Sequence, residues 1–319
     1  MLDDGLDDHP DLKNLRLSKD DERAARAAVR QARRVRPTGP SFLRRHRPKV
    51  VAIVALGVVV AVGALLVNGS RRGETSQPSG AAPRTAYGVD VDRPFAGTPA
   101  EGWADGEAGI VAPEPAAVGD YPAEAVAAAY TKVRLVLITA RLDRSVIEDH
   151  DEEKLLALLA PEAQAEPRRD FAAHPDKAYA YATRVADGFH LLPAQPKVRG
   201  SMRAEQADDG ALRVRTNYAF AYAFAPAGEV AGPLDIVAVD RFEADFAITD
   251  DRWPTPSRGV WVEEVEWYGY SIACAAYRRG ELAPSYSDRT TTPEAMDDSE
   301  KARFFDPTQP MPTTSSCPT

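Results

Sequence analysis

The sequence predicts an α+β fold: helices first, then a curved, cone-like antiparallel sheet, the whole preceded by one transmembrane helix. Three observations carry this expectation. An uninterrupted apolar run fills residues 50–67. A helical stripe follows Asp120-Tyr121-Pro122, and four alternating apolar runs occupy the second half of the chain. Helices in one half and strands in the other is the order of an α+β domain rather than of a parallel α/β one.

Residues 50–67 read VVAIVALGVVVAVGALLV, without a polar side chain. As a helix these residues rise about 27 Å, close to the hydrocarbon thickness of a bilayer. The run is too long and starts too late for a cleaved signal peptide, and no small-x-small cleavage site follows it. Arg36, Arg44, Arg45, Arg47 and Lys49 precede it closely, whereas only Arg71 and Arg72 follow closely. That asymmetry places residues 1–49 in the cytoplasm and the C-terminal domain outside the cell membrane, in a single-pass arrangement. Charge divides at the same boundary. Residues 1–49 hold 13 Lys and Arg against 8 Asp and Glu, a net of +5, and the remainder of the chain has a net of −14. The net charge of −9 over the whole chain argues against nucleic acid as a partner; the expected partners are the lipid bilayer, through the apolar run, and an envelope protein or small ligand.

Residues 68–93 are rich in Gly, Pro, Ser and Thr and read as a flexible linker. Residues 94–277 form the expected extracytoplasmic domain. Its first stretch carries Phe95, Trp103 and the pair Ile110-Val111, which suggests irregular chain packed along the domain surface. Asp120 then caps a helix with Pro122 in its first turn. Val126, Tyr130, Val133, Leu137 and Ala140 mark one face of it, running to about Leu142. A turn of helix after Asp143, a second capped by Asp151, and a weaker stretch over 162–173 complete the helical half. Alternation over 198–204, 212–224, 236–248 and 260–272 predicts an antiparallel meander of four to six strands. Asp208-Asp209-Gly210 marks a hairpin turn, and Glu263-Glu264 interrupts the alternation as a bulge would.

The stretches PFAGTPAEGWADGEAGIV, LLALLAPEA, GALRVRTNYAFAYAF and the closing FFDPTQPMP…C together resemble a set of uncharacterised actinobacterial single-pass membrane proteins. The element order over about 120–277 resembles the nuclear-transport-factor-two-like (cystatin-like) cone. The resemblance implies location and architecture, and carries over no catalytic residue.

Phosphate loops, GxGxxG, HExxH, CxxC and GxSxG are missing from the sequence, which gives no catalytic residue, cofactor or metal to expect. His150-Asp151-Glu152-Glu153 has ligand-type residues, but acids are also favoured at the helix start expected there. A pocket in such a fold would be marked by polar residues on apolar faces. These are Asp240 among Ala238, Phe242, Ala244 and Phe246, Tyr218 and Tyr222 on their strand, and Tyr130 on the long helix. Either they converge on a ligand, or Asp240 pairs with an arginine while the tyrosines are core. The sequence reads best as a membrane-anchored binding or accessory module. The alternatives are a signalling protein with an outer sensor and a short cytoplasmic partner-binding segment, or an enzyme using the pocket. Residues 278–319 form a Pro/Ser/Thr-rich tail, and one cysteine at each end, Cys274 and Cys317, suggests a disulfide pinning it back on the domain.

Overall fold

The computed structural model describes residues 85–86, 88–288, 303–312 and 317. The expected cytoplasmic segment, the 50–67 span and most of the linker lie outside the described residues. Among the described residues no helix is long and apolar enough to cross a membrane.

The fold is α+β. A hairpin of β1 (Thr85–Ala86) and β2 (Val89–Asp90) opens the described part, so the end of the expected linker forms regular structure, and Val89 is buried. A five-stranded antiparallel sheet follows in the order β3-β4-β5-β6-β7: Ala104–Asp105, Lys197–Gln206, Leu212–Ala223, Val237–Thr249 and Gly259–Tyr270. The last four strands are the expected meander. Its first turn has Gly210 at φ 86°, with Asp209 accepting from the Ala211 N–H at 3.0 Å. The irregularity falls at Glu263-Glu264: Ala244 faces Val265, whereas Phe246 faces Val262, leaving one extra residue on β7.

Before β4 lie α1 (Ala123–Arg141), α2 (Arg144–Ile147), α3 (Glu153–Leu156), α4 (Ala165–Ala173) and α5 (Pro175–Ala178). Val126, Tyr130, Val133, Leu137 and Ala140 of α1 are all buried against the sheet. Two expected caps are displaced. Pro122 occupies the N-cap of α1, and Asp120 instead accepts from the Gln206 amide at 3.1 Å, tying the helix start to the end of β4. Glu152 rather than Asp151 stands at the start of α3, because the chain turns through His150 at φ 56° and the Asp151 N–H is spent on the Ser145 carbonyl. Asp143 does cap α2, accepting from the Ser145 N–H at 3.0 Å.

The larger departure from expectation concerns the sheet's second face. Alternation of apolar residues with Arg213, Arg215 and Asn217 predicts a half-buried β5. In the structure every residue from Tyr218 to Ala223 is buried. Leu212, Val214, Tyr218, Phe220 and Tyr222 face the helices. On the opposite face Ala219, Ala221 and Ala223 join Val237, Val239, Tyr268 and Tyr270 in a second core, closed by Val89, Phe95, Trp103 and Phe305. The alanines are small because a second layer of chain lies on them. Gly200 is small for a similar reason: a Cβ there would lie 2.3 Å from the Asn217 carbonyl and from the Tyr218 ring on the neighbouring strand.

After β7, α6 being the turn Pro233–Ile236 between β5 and β6, α7 (Cys274–Tyr277) starts at the bridged cysteine. Cys274 pairs with Cys317 across a Cα–Cα distance of 5.4 Å. With 43 residues of separation, the bridge stabilises the fold by about 4 kcal/mol in the chain-entropy model. Reduction, or Cys317→Ser, should therefore lower the unfolding free energy by a corresponding amount and raise the urea m-value, because the unfolded chain is no longer cross-linked. An unfolding free energy that did not move would show that the non-covalent contacts of the tail hold it unaided.

Candidate functional site

The end of α1 and the middle of the sheet meet at a buried polar cluster. Arg141 is the last residue of α1 and lies one turn after Leu137, so it continues the buried stripe. Its guanidinium lies 3.5 Å from the Asp240 carboxylate, and both side chains are 1% exposed. The Arg141 plane also sits on the Phe242 ring, 3.8 Å from its centroid. Asp240 is the fourth residue of β6, opposite Phe220 on one side and Gly269 on the other. There it shares the helix-facing side with Ala238 and Phe242.

Hydrogen bonds extend the pair into a network. Arg141 Nη1 donates to Thr183 Oγ1 at 3.2 Å, and Nη2 donates to the Tyr179 carbonyl at 3.0 Å. The Tyr222 hydroxyl donates to the Arg141 carbonyl at 3.0 Å. Thr183 then has one hydroxyl proton and two claimants, Tyr222 oxygen at 3.0 Å and Asp240 Oδ2 at 3.4 Å. Thr183 donates to Asp240 Oδ2 at the longer distance and shares the shorter contact with the Tyr222 hydroxyl. Among the described residues Arg141 Nε and Asp240 Oδ1 lack a well-formed hydrogen bond. The pair is thus enclosed yet incompletely satisfied, a condition in which desolvation competes closely with Coulomb attraction.

Protonation follows from this setting. Burial pushes the Asp240 carboxyl up to about 6, against the opposing pull of Arg141, the Trp267 indole and the Thr183 hydroxyl. Burial lowers Arg141, and Asp240 and Tyr222 counter it. Tyr222 is raised by burial first and by the adjacent Asp240 second.

Of the four residues read from sequence, the structure brings two together, Asp240 and Tyr222, through Thr183. Tyr130 stands apart, its hydroxyl accepting from the Ala204 N–H at 3.0 Å. Tyr218 is also separate. It is fully buried beside Gly200, its hydroxyl finds no hydrogen-bond partner among the described residues, and burial raises its pKa. Sequence reasoning missed Arg141 and Thr183. For Arg141 the signal was present, since a charge at the next stripe position after Leu137 needs a buried partner. Thr183 lies in irregular chain after α5, where no periodicity points to it.

In the His150 stretch, His150 and Glu152 both engage Arg184. His150 Nδ1 accepts from Arg184 at 3.1 Å, which leaves Nε2 as the protonated nitrogen donating to the Val185 carbonyl at 3.0 Å. Glu152 pairs with the same Arg184. No group of three or more His, Cys, Asp or Glu among the described residues is arranged to hold a metal ion.

Two cavities lie on the surface of the described residues. One, about 450 Å³, is a mostly apolar cleft between α1 and the extended chain at 112–115, floored by Tyr130, Arg134 and Leu135. The other, about 270 Å³, lies across the sheet face away from the helices, between Arg203 and Arg215 on one side and Glu243, Asp245, Glu264 and Glu266 on the other. Chemically, the buried cluster can hold the helix to the sheet, whereas these two surfaces can be reached by another molecule.

No family model, curated protein or solved structure matches this chain.

Titration of Asp240 makes stability depend on pH. Its ordinary value is 3.8 and its folded value about 6. Below both, the buried group is neutral and costs little. Between them folding takes up a proton, and above about 6 the folded state bears the full cost of an enclosed carboxylate. Its contribution is therefore present in acid and lost as pH rises through that interval. Other raised carboxyls, Glu243, Asp245 and Glu263, act in the same direction, so the contribution is isolated by difference. The stability of the wild type minus that of Arg141→Met/Asp240→Leu, from urea unfolding, should fall between about pH 4 and pH 7. A flat or rising difference would contradict the protonation assigned to Asp240.

Proposed function

We propose that this chain is a membrane-anchored extracytoplasmic binding or accessory module, with residues 50–67 as its transmembrane helix and residues 1–49 in the cytoplasm. The outer domain is read as a cone of the nuclear-transport-factor-two-like kind, with helices over the concave side of the sheet. The observation that carries the reading is the position of Arg141. Where a cone would hold a ligand between helix and sheet, the guanidinium lies on Phe242 and against Asp240, with both charged groups 1% exposed. A general acid or base must reach the proton it transfers. Asp240 is turned instead toward a protein cation, and the group serves assembly rather than a reaction. The bridge between Cys274 and Cys317 supports an oxidising compartment for the domain, in keeping with a location outside the membrane. Binding then falls to the surface, where the cleft beside α1 and the exposed Leu135 offer apolar area to an envelope protein or small ligand.

The test has two arms. Alkaline phosphatase fused after residue 319 should be active and fused after residue 40 inactive; the reverse pattern would overturn the placement. In a deletion strain, full-length Arg141→Met/Asp240→Leu, present at wild-type abundance, should restore the wild-type phenotype. Failure at that abundance, with the domain folded, would favour an enzyme that uses the buried carboxylate.

A further inference from the structure

Among the described residues, the tail reaches along the sheet face away from the helices as far as Asn217, whose amide donates to the Pro307 carbonyl at 2.8 Å. Toward the Asp208-Asp209-Gly210 turn the same face opens into the cavity of about 270 Å³. Its two banks differ in sign. Arg203 and Arg215 of β4 and β5 form one, and Glu243, Asp245, Glu264 and Glu266 of β6 and β7 form the other. Within each bank like charges stand directly opposite one another: Arg203 faces Arg215, and Glu243 faces Glu266. Such pairs destabilise a bare sheet. A molecule of one sign relieves one bank, whereas a molecule carrying both signs relieves both.

Contacts within the protein narrow down which charges are left over. Arg215 is spent, donating to Glu205 at 2.7 Å and lying 3.8 Å from Asp245. Asp245 also has Arg213 at 3.9 Å. Glu243 accepts from the Asn217 amide at 3.0 Å and lies 3.7 Å from Arg241. Burial raises the Glu243 carboxyl against the pull of Arg241, and the like charges of Glu266 and Asp245 raise it further. Arg203, 68% exposed, has among the described residues only the already committed Glu205, at 3.9 Å. Glu264 and Glu266 are exposed and make no hydrogen bond or ion pair to another described residue. One cation on β4 and two carboxylates on β7 therefore remain. Three strand spacings, about 14 Å, separate those strands, and the long side chains lining the cavity shorten the gap. Three residues of extended peptide span about 10 Å. Between the banks stands Asn217. Its N–H groups go to Glu243 and the Pro307 carbonyl, which fixes the amide's orientation and leaves Oδ1 buried with no donor among the described residues. A peptide N–H is such a donor.

We propose that this cavity binds a short peptide of about three residues, its free C-terminal carboxylate at Arg203 and its two positive charges, the α-ammonium and a basic N-terminal side chain, at Glu264 and Glu266. Both ends are needed, because a diamine meets one bank and a simple carboxylate the other. The site is separate from the cleft beside α1. It needs no membrane placement, which the phosphatase fusions test on their own.

Full-length protein in non-ionic detergent, titrated calorimetrically at pH 7 with the tripeptide Lys-Ala-Ala, tests this; low ionic strength keeps the exposed charges unscreened. Saturable binding of one peptide per chain is expected. The C-terminal amide and the Nα-acetyl derivative of the peptide should each bind at least fivefold more weakly. Two variants confined to exposed side chains then assign the ends. Arg203→Gln should bind the peptide and its amide equally while still discriminating against the acetyl derivative. Glu264→Gln/Glu266→Gln should weaken the peptide at least tenfold and erase its preference over the acetyl derivative. The absence of saturable binding would overturn the proposal. So would an amide that binds the wild type as tightly as the free acid, because the cavity would then read positive charge alone. Wild-type affinity in the Glu264→Gln/Glu266→Gln chain would overturn it as well.

Discussion

A charge buried at the end of a helix has to be answered, and in this domain the answer ties the helical layer to the sheet. Arg141 closes α1, and its guanidinium reaches Asp240 of β6, Thr183, and the Tyr179 carbonyl that precedes it in irregular chain. Tyr222 of β5 completes the arrangement by donating to the Arg141 carbonyl, which α1 leaves open at its C-terminus. One residue thus fixes the register of helix, connecting chain and two central strands. An apolar pair of similar volume would pack the same space, often at no loss of stability. What the polar version adds is direction, since few rotations of α1 over the sheet bring all these partners within reach.

The opposite face of the sheet follows a different logic. A sheet one layer deep would leave Tyr268, Tyr270 and the alanine row of β5 in water. The chain before β3 and the tail after residue 303 cover them, at a cost in ordering entropy that chain of this composition cannot easily meet through local structure. The disulfide offsets part of that cost by restricting the unfolded chain, and the two phenylalanines supply the remainder through apolar burial. Beyond the covered zone the same face turns polar. Arg203 and Arg215 stand opposite each other on β4 and β5, and Glu243 and Glu266 on β6 and β7, so like charges face one another along two ladders. Arg215 relieves its side through Glu205 and Asp245.

Much of this was legible in the sequence. Strand alternation gave the meander, the DDG turn and the bulge at Glu263-Glu264, because a period of two and its interruption are local properties. The α1 stripe was equally plain. The second core was not, because Ala219, Ala221 and Ala223 look like solvent-side fillers until the covering chain is placed over them. Of the candidate site, Asp240 and Tyr222 could be found as polar members of apolar faces. Their joining required Arg141 and Thr183, one at a helix end and one in irregular chain, and no spacing rule connects positions 141, 183, 222 and 240. Tyr130 and Tyr218 share the polar-on-apolar signature yet serve the core, so the signature selects buried hydroxyls and not their purpose.

Arg141 and Asp240 act as a unit in holding α1 to the sheet. A double-mutant cycle with Arg141→Met, Asp240→Leu and the combined variant measures this directly, through urea unfolding at pH 7. Either single substitution should cost about 3–5 kcal/mol by stranding a buried charge, and the double far less than their sum, a coupling above about 2 kcal/mol. Additive losses, with coupling within about 0.5 kcal/mol of zero, would contradict the claim and show that helix and sheet are held by apolar packing alone.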